Sequence, residues 1–342
     1  MSETTNIEWC DSTFNPWIGC NKVSPGCDHC YAEQSTPARV LDVKWGAKVA
    51  RRRTSASNWR KPLAWNNTHA QFYAEHGRRR RVFCASLADV FDNAVDPQWR
   101  EDLFELIDCT PNLDWLILTK RISNAHPLIM DALNKLARRR GQNPNELQAT
   151  WPWPNVWLGA TIVNDEEAHR DIPKLLETPA AVRFLSMEPL LSSVSLRWLT
   201  AWRDGIRSSA LNPTGQTDHL DGLRQLDWVI VGGESGPNAR PMHPDWARAL
   251  RDQCAEAGVP FFFKQWGEYV VPEDGARSCR VCGCTWNNAC EDSCWWIEPD
   301  LCSSCVGKDA PAGDRPVRYC KVGKKAAGRL LDGQKWDHAP SK

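Results

Sequence analysis

The chain has 342 residues, of which 42% are hydrophobic, and this fits one large globular domain with insertions or two domains. Its 42 lysines and arginines balance 42 aspartates and glutamates, which excludes a global field that would recruit a polyanion. The N-terminus lacks a basic segment and an apolar run, and no apolar stretch reaches the roughly 18 residues of a membrane span. We therefore expect a cytoplasmic protein without a signal peptide or membrane partner.

The first motif in chain order is a group of three cysteines with the spacing Cys20-x6-Cys27-x2-Cys30. Fifteen cysteines in a chain without an export signal indicate metal binding rather than disulfides. Three thiolates on one loop can bind three irons of a [4Fe–4S] cluster and leave the fourth iron open as a reaction site. Two alternatives remain, namely a structural zinc site completed by Cys10 and a set of unrelated buried thiols.

This loop resembles that of radical S-adenosylmethionine (SAM) enzymes, whose usual spacing is Cys-x3-Cys-x-aromatic-Cys. The last pair keeps that form, with His29 in the aromatic position. The first gap is three residues longer, and Pro25 and Gly26 allow the longer loop to turn back. The resemblance implies that SAM binds the open iron and that its reductive cleavage yields a radical that abstracts a substrate hydrogen.

Short apolar segments alternate with longer amphipathic segments along the rest of the chain. After a first strand that leads into the Cys20 loop, strands are predicted at 81–86, 114–119, 156–161, 183–187, 227–232 and 259–264. Helices are predicted at 97–107, 126–138, 166–176 and 244–257. Near-continuous apolar strands are typical of a parallel sheet that is covered on both faces. The repeated units predict an α/β fold, specifically a complete or partial (β/α) barrel with parallel strands.

Polar or ionisable residues follow every predicted strand. Four of the ionisable ones are Lys120, Glu188, Glu234 and Lys264. Catalytic groups of β/α barrels lie at these carboxyl ends, around one mouth. We therefore predict that the four side chains bind substrate or move protons beside the Cys20 loop. The alternative is that the strand ends are polar only because strands run out into water.

Glu234 closes the sequence Gly232-Gly233-Glu234, which resembles the Gly-Gly-Glu segment that contacts the methionyl amine of SAM in radical SAM enzymes. In those enzymes the segment usually follows the second strand, whereas here it follows about the sixth. The resemblance implies a cofactor-binding role for Gly232 and Gly233. The alternative is that the two glycines permit a tight backbone turn.

A second group of seven cysteines falls between residues 279 and 305. Cys279-x2-Cys282 and Cys302-x2-Cys305 are separated by 19 residues, which is the spacing of a zinc ribbon with one four-thiolate site. The remaining cysteines are Cys284, Cys290 and Cys294. They fit a second metal, a second iron–sulfur cluster or core thiols. We therefore divide the chain into a barrel (1–270), an inserted Cys-rich metal-binding module (271–310) and a C-terminal helix and tail (311–342), with the helix predicted at 321–332.

Several ordered segments resemble the phage-associated three-cysteine-motif family. They are 14–20, 27–33, 118–121, 186–190, 231–236, 263–267 and 323–333. The likeness spans residues 6 to 337 apart from the loops and the Cys-rich module. It implies a phage or prophage origin and a three-Cys-motif partner protein, and it strengthens the fold and the iron–sulfur cluster more than it supplies a reaction.

Nineteen tryptophans are unusual at this length. Six of them are predicted in loops, several near the basic runs 51–53, 78–81 and 138–140: Trp59, Trp65, Trp151, Trp153, Trp295 and Trp296. Exposed aromatic rings stack on bases, so a nucleic-acid substrate or partner is one hypothesis, and packing around the barrel is the other. The insert at 200–225 is predicted to be a surface loop or lid.

Two function classes follow from these patterns. The first is a radical SAM-like enzyme that acts on an unknown substrate, with nucleic-acid modification or repair as one option. The second is a non-catalytic nucleic-acid-binding or adaptor protein that zinc stabilises at both cysteine groups.

Overall fold

The computed structural model describes residues 5–197, 199–200, 219–271, 278–285, 289–290, 294–310 and 316–341. The polar link at 272–275 that separates the predicted barrel from the Cys-rich module lies outside the described residues, as does 201–218, most of the predicted loop or lid.

Seven parallel strands of the described residues form one sheet, and their order in the sheet is their order in the chain. They are β1 (Ser12–Phe14), β2 (Arg80–Cys84), β3 (Leu113–Thr119), β4 (Val156–Thr161), β5 (Val182–Met187), β6 (Trp228–Gly232) and β7 (Phe261–Gln265). Sequential parallel strands that curve without closing make a half-barrel. The predicted partial (β/α) barrel is therefore confirmed.

Helices of the described residues connect the strands. They are α1 (Thr36–Val40), α2 (Ala56–Trp59), α3 (Lys61–Asn67), α4 (His69–His76), α5 (Pro97–Asp108), α6 (Ile122–Arg139), α7 (Pro144–Ala149), α8 (Asp165–Glu177), α9 (Pro244–Ala257) and α10 (Lys324–Ala327). Side-chain caps fix several starts, as where Asn164 accepts from the Glu167 amide at 2.9 Å. The helix α6 begins four residues before its predicted start, because buried Ile122 and Ala125 hold the first turn against the core. None of these helices combines the length and apolar character needed to cross a membrane.

Side chains alternate between the two faces of the sheet. One set packs under the helices, and the other fills the concave face with a mostly aromatic core. The concave set from the strands comprises Phe83, Leu116, Trp157, Val182, Phe184, Trp228, Ile230 and Phe262. Trp9 joins it from the N-terminus, with its ring centroid 4.6 Å from that of Phe83. Gly159 makes room there, because a Cβ at that position would lie 2.4 Å from the Phe184 ring.

The C-terminal segments return to the half-barrel. Tyr269–Val270 pairs antiparallel with Cys320–Lys321, so the chain leaves for the Cys-rich module and re-enters at neighbouring points. Farther on, the Phe263 amide donates to the Trp336 carbonyl at 2.8 Å, and the tail covers the free edge of β7. The helix predicted at 321–332 is wrong in extent, because only Lys324–Ala327 is helical, between Gly323 (φ +85°) and Gly328 (φ +71°).

Three further antiparallel strand pairs lie outside the sheet. They join Trp17–Ile18 to Arg52–Arg53, Leu199–Thr200 to His219–Leu220 and Trp296–Glu298 to Leu301–Cys302. Short 3-10 turns occur at Pro25–Cys27, Leu223–Gln225 and Ser303–Cys305.

Most of the tryptophans predicted in loops pack inside the protein. Trp59 ends α2, Trp65 lies within α3 and Trp296 begins a short strand, so their placement in loops is wrong. Trp65, Trp151 and Trp153 are all less than 10% exposed, whereas Trp295 is exposed. Six arginines of the basic runs pair with acids: Arg51 with Asp92, Arg53 with Asp102, Arg78 with Asp11, Arg79 with Asp114, Arg139 with Glu101 and Arg140 with Asp108. These contacts favour packing over base stacking for the three buried rings.

Candidate functional site

A cavity of about 350 Å³ opens at the carboxyl ends of the strands. Its volume falls in the range of small-molecule pockets, roughly 300–1,000 Å³. The structure brings eight of the predicted site residues around it: Cys20, Cys27, Cys30, Lys120, Glu188, Gly233, Glu234 and Lys264. These residues come from one loop and four strand ends, up to 244 positions apart in the chain. The parallel sheet alone makes them neighbours.

Local contacts hold the cysteine loop against the strand ends. The Asn15 side chain donates to Ser86 Oγ at 2.9 Å and accepts from the Leu87 amide at 2.7 Å, which fixes the start of the loop beside β2. The 3-10 turn Pro25–Cys27 is capped by Ser24. A Cβ on Gly26 would lie 2.7 Å from Val163 Cγ1, so glycine lets this turn pack against the segment after β4.

Arg121 ties Cys20 to the end of β3. Its guanidinium donates to Cys20 Sγ at 3.4 Å, to Asp89 Oδ2 at 3.0 Å and to the Asn21 carbonyl at 2.9 Å. Burial raises the pKa of the Cys20 thiol to about 11, and the Arg121 charge opposes that rise. A bound metal cation would favour the thiolate of Cys20, as in metal-coupled thiolate formation.

Glu234 ties the other end of the loop to β6. The Arg240 guanidinium donates to both of its carboxylate oxygens, at 2.8 and 2.6 Å, and His29 Nδ1 lies 3.2 Å from Oε2. Arg240 also donates to the Pro25 carbonyl at 2.9 Å and to Asp28 at 3.1 Å. Burial would raise the pKa of Glu234, but the hydrogen bonds from Arg240 and His29 outweigh it and hold that pKa below its ordinary value.

Glu188 and Lys264 form an ion pair across the mouth. The Lys264 ammonium donates to Glu188 at 2.8 and 2.7 Å, and Gln265 Nε2 donates to Glu188 Oε1 at 2.9 Å. Lys120 differs from Lys264, because its half-buried ammonium donates to Thr161 Oγ1 at 3.5 Å. Among the described residues no carboxylate lies within 4.0 Å of that ammonium.

The glycine pair has a packing requirement of its own. A Cβ on Gly233 would lie 1.9 Å from the Trp266 carbonyl oxygen, so no other residue fits without a backbone shift. A Cβ on Gly232 would meet the Glu188 side chain at 3.4 Å. Gly233 also lines the cavity. Close backbone approach therefore accounts for Gly233 already, and SAM contact by Gly232 and Gly233 stays a prediction.

The zinc alternative for the N-terminal cysteines finds little geometric support. Cys10 packs in the aromatic core of the concave face, with its Sγ 3.7 Å from the Ile7 carbonyl, and does not line the cavity. The Sγ atoms of Cys20, Cys27 and Cys30 are not among the described groups whose ligand atoms all lie within 4.8 Å. Thiolates around one zinc ion lie about 3.8 Å apart, because Zn–S bonds of 2.3 Å point to a tetrahedron.

The Cys-rich module gathers its thiols more tightly and could hold a metal ion. Cys279, Cys282 and Cys302 of the predicted ribbon group with Cys284, whereas Cys305 lies outside the group although it is buried beside it. The reason is a tight turn: the Gly283 amide donates to the Cys279 carbonyl at 2.8 Å with φ of +68°, which turns Cys284 inward. Burial would raise the pKa of Cys279, but backbone N–H donors lower it to about 6.

Four further side chains of the site were not predicted from the sequence to take part in it. Arg121 and Asp89 follow predicted strands, but the sequence does not indicate that they meet at Cys20. Arg240 lies in a loop six residues after Glu234, with no pattern around it. Lys324, from the short helix α10, also lines the cavity. Arg121 and Asp89 both offered a signal, because each lies just after a predicted strand.

The family model described as "Protein of unknown function (DUF5131)" matches residues 4–340. Neither the curated proteins nor the solved structures gave a match to the chain.

Proposed function

This chain belongs to the DUF5131 family of proteins of unknown function, and we propose that it is an iron–sulfur enzyme of the radical SAM type. The observation that carries the proposal is the shared cavity, in which three thiols of one short loop face ionisable side chains from four strand ends. Enzymes with β/α barrels place their active sites at this end.

The donor set fits a [4Fe–4S] cluster with one open iron. Cys20, Cys27 and Cys30 supply three thiolates, and Cys10 lies outside the cavity. The wide spacing of the three thiols disfavours a single zinc ion. When bound and reduced by an external one-electron donor, such a cluster would supply the electron for reductive cleavage of the SAM sulfonium, which is the chemistry that starts a radical reaction.

The remaining side chains have distinct roles in the proposal. Lys120 binds an anionic group, such as a carboxylate of SAM or substrate, because its ammonium has no carboxylate partner among the described residues. Glu188 and Lys264 can accept and return a proton, because the two side chains are held within hydrogen-bond distance of each other. Glu234 is already bound by Arg240, so it positions the cysteine loop rather than binding substrate.

Anaerobic reconstitution tests the proposal directly. We expect brown protein with about four irons and four sulfides per chain at the N-terminal site, and a change in the electron paramagnetic resonance spectrum of the reduced cluster when SAM is added. A protein that takes up only zinc under these conditions contradicts the proposal. If the spectrum of the reduced cluster does not change when SAM is added, the radical SAM part of the proposal is contradicted.

Arg121 should tune the reduction potential of this cluster. A cation beside Cys20 stabilises the reduced, more negative state, so Arg121→Met should move the midpoint potential more negative by on the order of 50 mV. Arg121→Lys keeps the charge and should move it less. Arg39→Met, an exposed arginine in α1, is the matched control and should leave the potential unchanged. Equal potentials for wild type and Arg121→Met in a redox titration would remove this role.

A nucleic-acid substrate and a three-Cys-motif partner protein remain predictions of the sequence. Among the tryptophans predicted in loops, Trp65, Trp151 and Trp153 are buried and Trp59 and Trp296 are half-buried, whereas Trp295 is exposed and accessible to a base.

A further inference from the structure

Six thiols of the Cys-rich module form two overlapping groups of four. The Sγ atoms within each group all lie within 4.8 Å of one another. One group is Cys279, Cys282, Cys284 and Cys302, and the other is Cys284, Cys290, Cys294 and Cys302. We propose that the module holds two zinc ions that share the thiolates of Cys284 and Cys302.

The number of ligands matches this arrangement. Each structural zinc ion takes four ligands, so two ions need eight metal–ligand bonds. Six thiolates supply eight bonds if two of them bridge both ions. The terminal pairs are then Cys279 with Cys282 on one ion, and Cys290 with Cys294 on the other.

The sulfur distances fit tetrahedral zinc within each group. Cys282 and Cys302 Sγ lie 3.7 Å apart, and Cys284 and Cys294 Sγ lie 3.6 Å apart. Tetrahedral zinc with bonds of 2.3 Å sets its thiolates about 3.8 Å apart. The terminal thiols of the two groups also approach each other, with Cys282 and Cys290 Sγ at 3.7 Å. The two sites are therefore adjacent, as sharing of ligands requires.

Burial distinguishes the two shared thiols from most of the others. Cys284 and Cys302 are each 1% exposed, whereas Cys282, Cys290 and Cys294 are half-buried. A bridging thiolate sits between two cations at the centre of such a site, and terminal ligands surround it. Burial therefore fits this placement for three of the four terminal thiols, whereas the fourth, Cys279, is 0% exposed and as buried as the two shared ones.

Hydrogen-bond donors offset the excess negative charge of six thiolates around two divalent ions. The Cys302 amide donates to Cys279 Sγ at 3.5 Å, and the Cys290 amide donates to Cys294 Sγ at 3.2 Å. The Arg318 guanidinium donates to Cys290 Sγ at 3.3 Å. Donors to coordinating atoms of this kind orient the ligands and stabilise the charge.

Cys305 separates this proposal from a one-metal ribbon. The ribbon spacing requires it as a ligand together with Cys279, Cys282 and Cys302. In the structure Cys305 belongs to neither group of four, although it is buried and its thiol interacts with those of Cys279, Cys282 and Cys302. Cys290 is the opposite case, since the ribbon does not use it and the two-metal site does.

Zinc content of the full chain tests the proposal. The measurement uses a Cys27→Ala background, so that the N-terminal cysteines do not contribute and the fate of the iron–sulfur proposal does not affect the count. We expect two zinc ions per chain by elemental mass spectrometry. The Cys305→Ser variant should keep two zinc ions per chain, whereas Cys290→Ser should hold about one. The matched control is Cys109→Ser, which changes an exposed free cysteine and should keep two zinc ions. The proposal is overturned if the wild-type module holds one zinc ion per chain. It is also overturned if Cys305→Ser loses zinc while Cys290→Ser keeps its full zinc content.

Cadmium nuclear magnetic resonance tests whether Cys284 and Cys302 bridge the two ions. The experiment needs no substitution in the module, so misfolding of a variant cannot affect the result. In the same background loaded with ¹¹³Cd, we expect two metal resonances. The β-protons of Cys284 and Cys302 should correlate with both of them, and those of the four terminal cysteines with only one. If each cysteine correlates with only one of the two metal resonances, the two ions share no ligand and the proposal fails.

Discussion

Reconstituted, reduced protein should cleave SAM to 5′-deoxyadenosine and methionine, and Cys27→Ala should abolish that reaction. Cys27 lies in the turn between the other two thiols and lines the cavity, so its loss leaves two thiolates for a cluster that needs three. Iron content should fall from about four per chain to a small residue. Liquid chromatography of the nucleoside products and an iron assay measure both effects.

Cys10→Ala is the matched control for that experiment. Cys10 is buried in the concave core and does not line the cavity, so its variant should keep both the iron and the cleavage reaction. Loss of iron in Cys10→Ala would mean four cysteine ligands and a closed cluster. An intact cluster in the wild type without cleavage of SAM would leave the non-catalytic metal-binding protein as the better account.

Arg240→Met should lower the free energy of unfolding by about 2 kcal/mol, because it leaves the carboxylate of Glu234 buried without its cation. Arg240 is partly exposed, which keeps the effect below that of a fully buried pair. The same change frees the cysteine loop from β6, since Arg240 also holds the Pro25 carbonyl and Asp28. We therefore expect lower iron loading as well, measured beside denaturant unfolding.

Arg248→Met offers a control with a similar exposed fraction, 34% against 31% for Arg240. Its partners Asp245 and Asp332 are themselves exposed, so that change should cost less than about 1 kcal/mol and leave iron loading unchanged. The double variant Glu234→Gln with Arg240→Met should lose less stability than Arg240→Met alone, because no buried charge remains. Equal losses would show that the pair contributes only packing.

The effect of Arg240→Met should also depend on pH in a definite direction. The pKa of Glu234 in the folded protein lies below its ordinary value of 4.5, so its contribution to stability is present above pH 4.5 and is lost as the pH falls through the lowered pKa. The difference in unfolding free energy between wild type and variant should therefore shrink in acid. A difference that grows in acid would assign the wrong charge state to Glu234.

The sequence by itself determined the strands, the main helices and the place of the site. Six near-continuous apolar segments lie within two residues of the observed strands β2 to β7, because burial on both faces leaves a local signature. The four ionisable residues could be placed at one mouth from sequence alone, since parallel strands put all their carboxyl ends on one side. The three-cysteine loop could be recognised because its spacing is local.

Only the tertiary structure decided which side chains are partners. Glu234 pairs with Arg240, and Lys264 with Glu188, while Lys120 remains without a carboxylate among the described residues. Which side chains form ion pairs depends on distances between segments that are far apart in the chain, and the periodicity of the sequence does not indicate those distances. The same reason accounts for Cys284, which a single glycine turn places in the group that spacing had given to Cys305. The same reason applies to the C-terminal segment, which has a helical sequence pattern but mostly pairs along the edge of β7. Backbone groups at that edge would otherwise lack hydrogen-bond partners.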